Sequence, residues 1–238
     1  MGALSIPAML RQYLDTAAIV GLYHGVSAIG NMIDRDGGVI EHRCSQLAGR
    51  ALLDNFHLPV TVEGLEHIQG LEHYSVVSTH ASYLDWAVLL GYFPEPLRFI
   101  AKRELARLPG FGYYLRNRGI FVDRSKGHTA KDAIRQAARE RLPWPILIFA
   151  EGTRSPDGTI RPFRKGGLSI IAEEGLALLP VNISGTFKAC PRGARHINTH
   201  VPITFSIGEP VTARDGDVTR QVELVEERVR ELRRRAES

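Results

Sequence analysis

Apolar positions follow two regimes along this chain of 238 residues. Through the first 57 residues they recur at helical spacing, as in Leu10, Tyr13, Leu14, Ala17, Ala18 and Leu22. A second helical pattern covers 41–56, with Leu47, Ala51 and Leu52 on its apolar side. From Leu58 onward short apolar runs alternate with helical stretches. The runs fall at 58–63, 74–78, 97–101, 119–122, 146–149, 178–183 and 203–207, and the helices at 84–92, 104–116, 129–141 and 167–174. Strands separated by helices of about ten residues predict an α/β fold with a largely parallel central sheet flanked by helices. The pattern divides the chain into an amphipathic two-helix segment, 1–57, and a catalytic-sized domain, 58–238. A closing helix over 218–235 places Val222, Val225, Val229 and Leu232 on one face.

The N-terminal segment admits two readings. Residues 16–33 carry no formal charge, yet His24, Ser27, Asn31 and three glycines interrupt them. A spanning helix needs about 20 mostly apolar residues. The two helices therefore either lie in a membrane interface or cap the core, and residue pattern leaves both open.

Composition narrows the function classes. With 44% apolar and 24% charged residues the chain can bury a sizeable core. Cys44 and Cys190 match no zinc or redox spacing, which fits a reduced, cytosolic setting, and the first ten residues lack a secretory signal pattern. A net charge of +4 favours anionic partners. Nucleic acid is disfavoured, because no helix-turn-helix, zinc-finger or RNP-type pattern is present. His196, His200 and Cys190 have some ligand character, but they sit in a Pro/Gly/Arg-rich loop without the three convergent ligands a catalytic zinc needs. No metal or cofactor is expected.

The chemistry collects where strands end. After the run 74–78 come His80 and Asp85; after 97–101, Lys102 and Arg103; after 119–122, Asp123 and Arg124; after 146–149, Ala150-Glu151-Gly152-Thr153-Arg154-Ser155. In a parallel sheet these carboxyl ends share one edge, where α/β proteins keep their sites. His80 and Asp85 are five positions apart, so they meet only if His80 precedes the first helical turn and Asp85 lies inside it. A carboxylate so placed fixes the imidazole tautomer and makes histidine a workable base near neutral pH. Arg124 and Arg154 offer planar forks for phosphate, and Lys102 adds a point charge. Glu151, beside two arginines, is expected to stay ionised and to orient them or accept from a substrate hydroxyl. The Gly152-Thr153 turn is expected to present backbone N–H groups to an oxyanion. A base with no evident protein nucleophile points to a substrate alcohol as the attacking group.

The chain resembles the glycerolipid acyltransferase family, most closely its bacterial 1-acylglycerol-3-phosphate O-acyltransferases. Four blocks carry the resemblance in order: His80-Ala81-Ser82-Tyr83-Leu84-Asp85, Gly119-Ile120-Phe121-Val122-Asp123-Arg124, Phe149-Ala150-Glu151-Gly152-Thr153-Arg154-Ser155 and Leu179-Pro180-Val181-Asn182-Ile183-Ser184-Gly185-Thr186. The resemblance implies that His80 is the general base and Asp85 its orienting partner. It implies that Arg124, Glu151, Gly152 and Arg154 bind the glycerol-phosphate portion, and that the block around Pro180 belongs to the acyl-donor side. It further implies direct transfer from an acyl carrier protein or coenzyme A thioester to a lysophospholipid, with no metal, at the cytoplasmic face of the membrane. Thr79 and Ala150 stand where the family often has asparagine and proline. Relatives with these blocks also acylate other lysolipids, including lyso-ornithine lipids, so the acceptor stays open. A hydrolase is disfavoured because the chain has no Gly-x-Ser-x-Gly turn. A non-catalytic anionic-lipid-binding membrane protein has no use for the His80–Asp85 pair.

Overall fold

A computed structural model describes all residues except 1–5, 34–37, 109–110, 124–126 and 214–215. Among the described residues seven strands form one sheet: β1 (Val60–Glu63), β2 (Tyr74–Ser78), β3 (Arg98–Lys102), β4 (Ile120–Val122), β5 (Ile146–Phe149), β6 (Ala177–Ser184) and β7 (Ile203–Ile207). Their order is β1-β7-β6-β2-β5-β3-β4. The five strands from β6 to β4 are parallel. β7 runs antiparallel to β6, and β1 pairs parallel with β7, so both edge-side strands are reversed.

Around the sheet lie α1 (Ile6–Ile33), α2 (Val39–Asn55), α3 (Asp85–Tyr92), α4 (Phe111–Arg118), α5 (Gly127–Arg139), α6 (Lys165–Glu173), the short α7 (Thr186–Ala189) and α8 (Val218–Glu237). Successive side chains of β2 point to opposite faces, and each face has its own core. Val76 packs with Leu53, Val88, Phe93, Phe99 and Tyr114 on the α2–α3–α4 side. Val77 packs with Ile134, Leu168, Ile171, Val222 and Val225 on the α5–α6–α8 side. This two-sided burial explains why the central strands read as continuous apolar runs. Each fully buried Leu or Phe stabilises the fold by roughly 1.5–3 kcal/mol.

Two expectations about helices change. The single helix over 104–116 is instead a 3₁₀ segment, Arg103–Arg107, followed by α4. Leu108 is extended (φ −66°, ψ 136°), as a residue preceding proline tends to be, and the helix breaks there. On α2 the buried face carries Glu41, His42, Ser45, Gln46, Gly49, Leu52 and Leu53. Leu47, expected on the apolar side, is 70% exposed. Polar groups occupy that face because neighbouring elements satisfy them: Gln46 donates to the Phe93 carbonyl, and Glu41 takes Arg118 Nε at 2.9 Å and Asn117 Nδ2 at 3.0 Å. The Glu41–Arg118 pair is almost fully buried, so loss of either partner would strand a charge. It ties α2 to α4.

The connection from β2 passes through α3 on one face, and that from β5 passes through α6 on the other. β2 and β5 are adjacent. Their loops therefore part in opposite directions at a topological switch point, which opens a crevice at the carboxyl ends of the strands.

Candidate active site

His80 lies at that crevice, between the end of β2 and the start of α3. Its main chain is fixed by the β5 loop: His80 N–H donates to Glu151 Oε1 at 2.9 Å, and Ser155 N–H donates to the His80 carbonyl at 2.7 Å. The ring stacks on Phe149, with centroids 3.9 Å apart and planes 15° from parallel. Nδ1 contacts Asp85 Oδ2 at 2.9 Å. With Nδ1–H assigned to that bond, the basic lone pair is on Nε2.

Asp85 opens α3, so the five-residue spacing closes as the helix start requires. Its carboxylate is 1% exposed and saturated with donors. Oδ2 accepts the backbone N–H groups of Ala81 (2.7 Å) and Ser82 (2.9 Å) besides the imidazole. Oδ1 accepts the Thr186 hydroxyl at 2.6 Å. The helix N-terminus also favours the negative charge. Ser82 Oγ accepts from Leu84 N–H and donates to the Cys190 carbonyl, which fastens the turn to the segment after α7.

Arg154 joins the same crevice. Its guanidinium carbon lies 3.4 Å from the centroid of the Tyr83 ring, which belongs to the His80–Asp85 segment. Nη1 of Arg154 is buried and has no hydrogen-bond partner among the described residues. A buried guanidinium N–H without an acceptor is costly, so the geometry is ready for an anion.

Other expected residues are placed differently. Among the described residues Glu151 pairs with no arginine side chain. It is 4% exposed, and its two oxygens accept the backbone N–H groups of His80 and Arg161. Burial pushes its carboxyl above the ordinary value, against the pull of those two bonds. Its geometry is that of a brace for the loop rather than a ligand. Gly152 has φ +71°, and a Cβ there would fall 2.6 Å from Arg164 Cδ, so the turn needs glycine. The Gly152 N–H donates to the Phe149 carbonyl, and the oxyanion role expected of it is taken up inside the turn. Thr153 is half-buried in that turn. Lys102 is exposed at the end of β3, two strand positions from β2 and hence roughly 10 Å away across the sheet. Arg124 lies outside the described residues. Pro180 is buried in β6, level with Val77 of β2 and three residues short of Ile183.

Thr186 and Tyr83 are the site residues that sequence reasoning passed over. Both stand inside recognised blocks, but neither their type nor their spacing tells that one caps Asp85 and the other carries Arg154. Cys190 also faces the site. Burial raises its thiol pKa, which keeps it protonated near neutral pH and unsuited to act as a thiolate nucleophile. His200, weighed above as a metal ligand, stacks on His57 with centroids 5.1 Å apart.

Together these features define an α/β protein with a histidine–aspartate pair and an anion-ready arginine at the switch point of its sheet. A family profile described as Acyltransferase matches residues 59–184, more than half of the chain, and the chain belongs to that family. It is 30% identical to a 1-acyl-sn-glycerol-3-phosphate acyltransferase of Cocos nucifera over 80% of this chain and 62% of that protein. A protein of the same name from Pseudomonas aeruginosa is 37% identical over 50% of this chain and 47% of that one. Among solved structures, the 1-acyl-sn-glycerophosphate (LPA) acyltransferase PlsC from Thermotoga maritima superposes with a TM-score of 0.77. It shares 28% identity, over 96% of this chain and 95% of that one. The chain spans 45–62% of the length of the first curated relatives it matches.

Proposed function

We propose that the protein transfers a fatty acyl chain from an acyl thioester to the free hydroxyl of 1-acylglycerol 3-phosphate, giving phosphatidic acid. The observation that carries this reading is the joint presence of a base and an anion site. His80 is held by Asp85 at 2.9 Å, beside an Arg154 whose buried Nη1 lacks a partner.

The chemistry follows from those groups. Nε2 of His80 takes the hydroxyl proton as the acceptor oxygen attacks the thioester carbonyl. The imidazolium that forms is stabilised by the buried Asp85 carboxylate through Nδ1. The tetrahedral intermediate then collapses, the carbon–sulfur bond breaks, and the imidazolium returns its proton to the departing thiolate. No acyl-enzyme is required, and the protonated Cys190 thiol offers no rival nucleophile. Arg154, held over the Tyr83 ring, takes the acceptor phosphate with its planar fork. The donor is an acyl carrier protein or coenzyme A thioester.

The reaction site is read as working on a membrane surface, with the docking element inside residues 1–57. Leu10, Leu14, Leu22, Val26 and Ile29 are exposed along one side of α1, with Ala17, Ala18, Gly21 and Gly25 between them. Such a continuous apolar stripe is what an interfacial helix presents to lipid. Among the described residues no helix is long and apolar enough to cross a membrane.

The test is a donor-by-acceptor panel with purified protein and lipid vesicles, read by mass spectrometry, with His80→Ala alongside. Phosphatidic acid from the lysophosphatidic acid arm, lost by about 10²–10⁴ in the variant, is the expected result. Transfer confined to an acceptor lacking phosphate, or near-normal turnover by His80→Ala, would refute it.

A further inference from the structure

Asp85 is held from two directions. Oδ2 gathers three donors from its own segment, His80 Nδ1 and the N–H groups of Ala81 and Ser82. Oδ1 is reached from a distant part of the chain by the Thr186 hydroxyl at 2.6 Å, a short, charge-assisted contact between two fully buried groups. Delivering that hydroxyl requires a specific backbone. β6 ends at Ser184, and Gly185, with φ +91°, turns the chain into α7 so that Thr186 falls beneath α3. A Cβ at Gly185 would meet the Pro202 carbonyl oxygen at 2.1 Å, so no other residue makes this turn without displacing the β7 lead-in.

We propose that Thr186 is a positioning residue that sets both the orientation and the basicity of the His80–Asp85 pair. The proposal rests on the reading of His80 as general base. A carboxylate that loses a hydrogen-bond donor is less stabilised as an anion. It then holds the shared imidazole proton more tightly, and the imidazolium becomes harder to deprotonate. Among the described residues the other ionisable groups facing the pair are Glu151 and Arg154 from the β5 loop and Cys190 from the segment after α7. All three are retained when only the Thr186 hydroxyl is removed.

The experiment compares Thr186→Val and Thr186→Ser in the full chain, with ¹⁵N-histidine NMR titration of His80 and the pH profile of kcat/KM. Valine keeps the shape and loses the donor; serine keeps the donor. The neutral imidazole is the active form, so activity falls as pH drops through its pKa, and a higher pKa moves that acid limb upward. In Thr186→Val we expect the His80 pKa to rise by about half to one unit and kcat at neutral pH to fall about tenfold. Thr186→Ser should titrate and turn over like the parent. A folded Thr186→Val with unmoved His80 titration and unchanged kcat overturns the proposal. Should valine unfold the chain, Thr186→Cys serves instead, because a thiol is a weak donor. An intermediate shift there supports the role, and parent-like behaviour rejects it. The NMR readout needs no substrate, so failure of Thr186 is distinguishable from failure of the base. A silent Thr186→Val beside an inactive His80→Ala rejects only the former.

Discussion

Replacing Asp85 by asparagine removes one charge and leaves the shape. The amide oxygen can keep the Oδ2 position and its three donors, while the amide NH₂ faces Thr186, whose hydroxyl rotates to accept. Hydrogen bonds to a charged group are worth about 1.5–3 kcal/mol and neutral ones about 0.5–1.5, so four weakened bonds imply about 4–6 kcal/mol. Relief from burying an ionised group offsets part of this, which leaves a net loss of about 1–3 kcal/mol. For a chain of this size that lowers Tm by roughly 2–12 °C. The catalytic effect is larger. Without its counter-charge the imidazolium is unsupported and the tautomer is no longer fixed. The same substitution in a serine-protease triad costs about 10⁴ in kcat. A fall of about 10²–10⁴ is expected here, equivalent to about 3–5 kcal/mol of barrier. Steady-state turnover with mass-spectrometric detection, beside thermal melts by circular dichroism, separates the two effects. A folded Asp85→Asn protein that keeps kcat within a few-fold of the parent would refute the pairing of Asp85 with the base.

Three further outcomes follow from the geometry. Tyr83→Leu removes the aromatic face under Arg154 and should raise KM for a phosphorylated acceptor by about two- to thirty-fold, the range of a cation–π contact, with kcat little changed; an unaltered KM counts against the stacking role. Burial raises Glu151 above its ordinary pKa of 4.5, so the folded state holds that proton more tightly. Its contribution to stability is complete below the unfolded value and is lost as pH rises through the folded one. The Tm of the parent relative to Glu151→Ala should therefore decline as pH rises above the ordinary value of 4.5, and a constant difference would contradict the assignment. Leu14→Glu with Leu22→Glu should abolish co-flotation with anionic vesicles while leaving the melt unchanged, since both side chains are exposed; continued flotation would show that the α1 stripe is not the docking face.

The sequence by itself determined the elements and the local chemistry. Strands 74–78, 146–149 and 203–207 coincide with β2, β5 and β7 residue for residue, because runs buried on both faces or bounded by turn residues leave little choice of limits. The His80–Asp85 contact was legible for a related reason: it spans one turn, and the helix start at Asp85 is a local event. Tertiary structure decided what depends on distant segments meeting. Periodicity marks an apolar stripe without saying what covers it. The outward stripe of α1 and the exposure of Leu47 follow instead from α2 burying a polar face that Phe93, Asn117 and Arg118 satisfy. Glu151 became a backbone brace, and Thr186 a support for Asp85, only because β2 lies between β5 and β6. That strand order brings residues 71 and 101 positions away to the same two residues, His80 and Asp85. Such pairings are set by which strands hydrogen-bond across the sheet, a choice of the whole fold that local spacing does not encode.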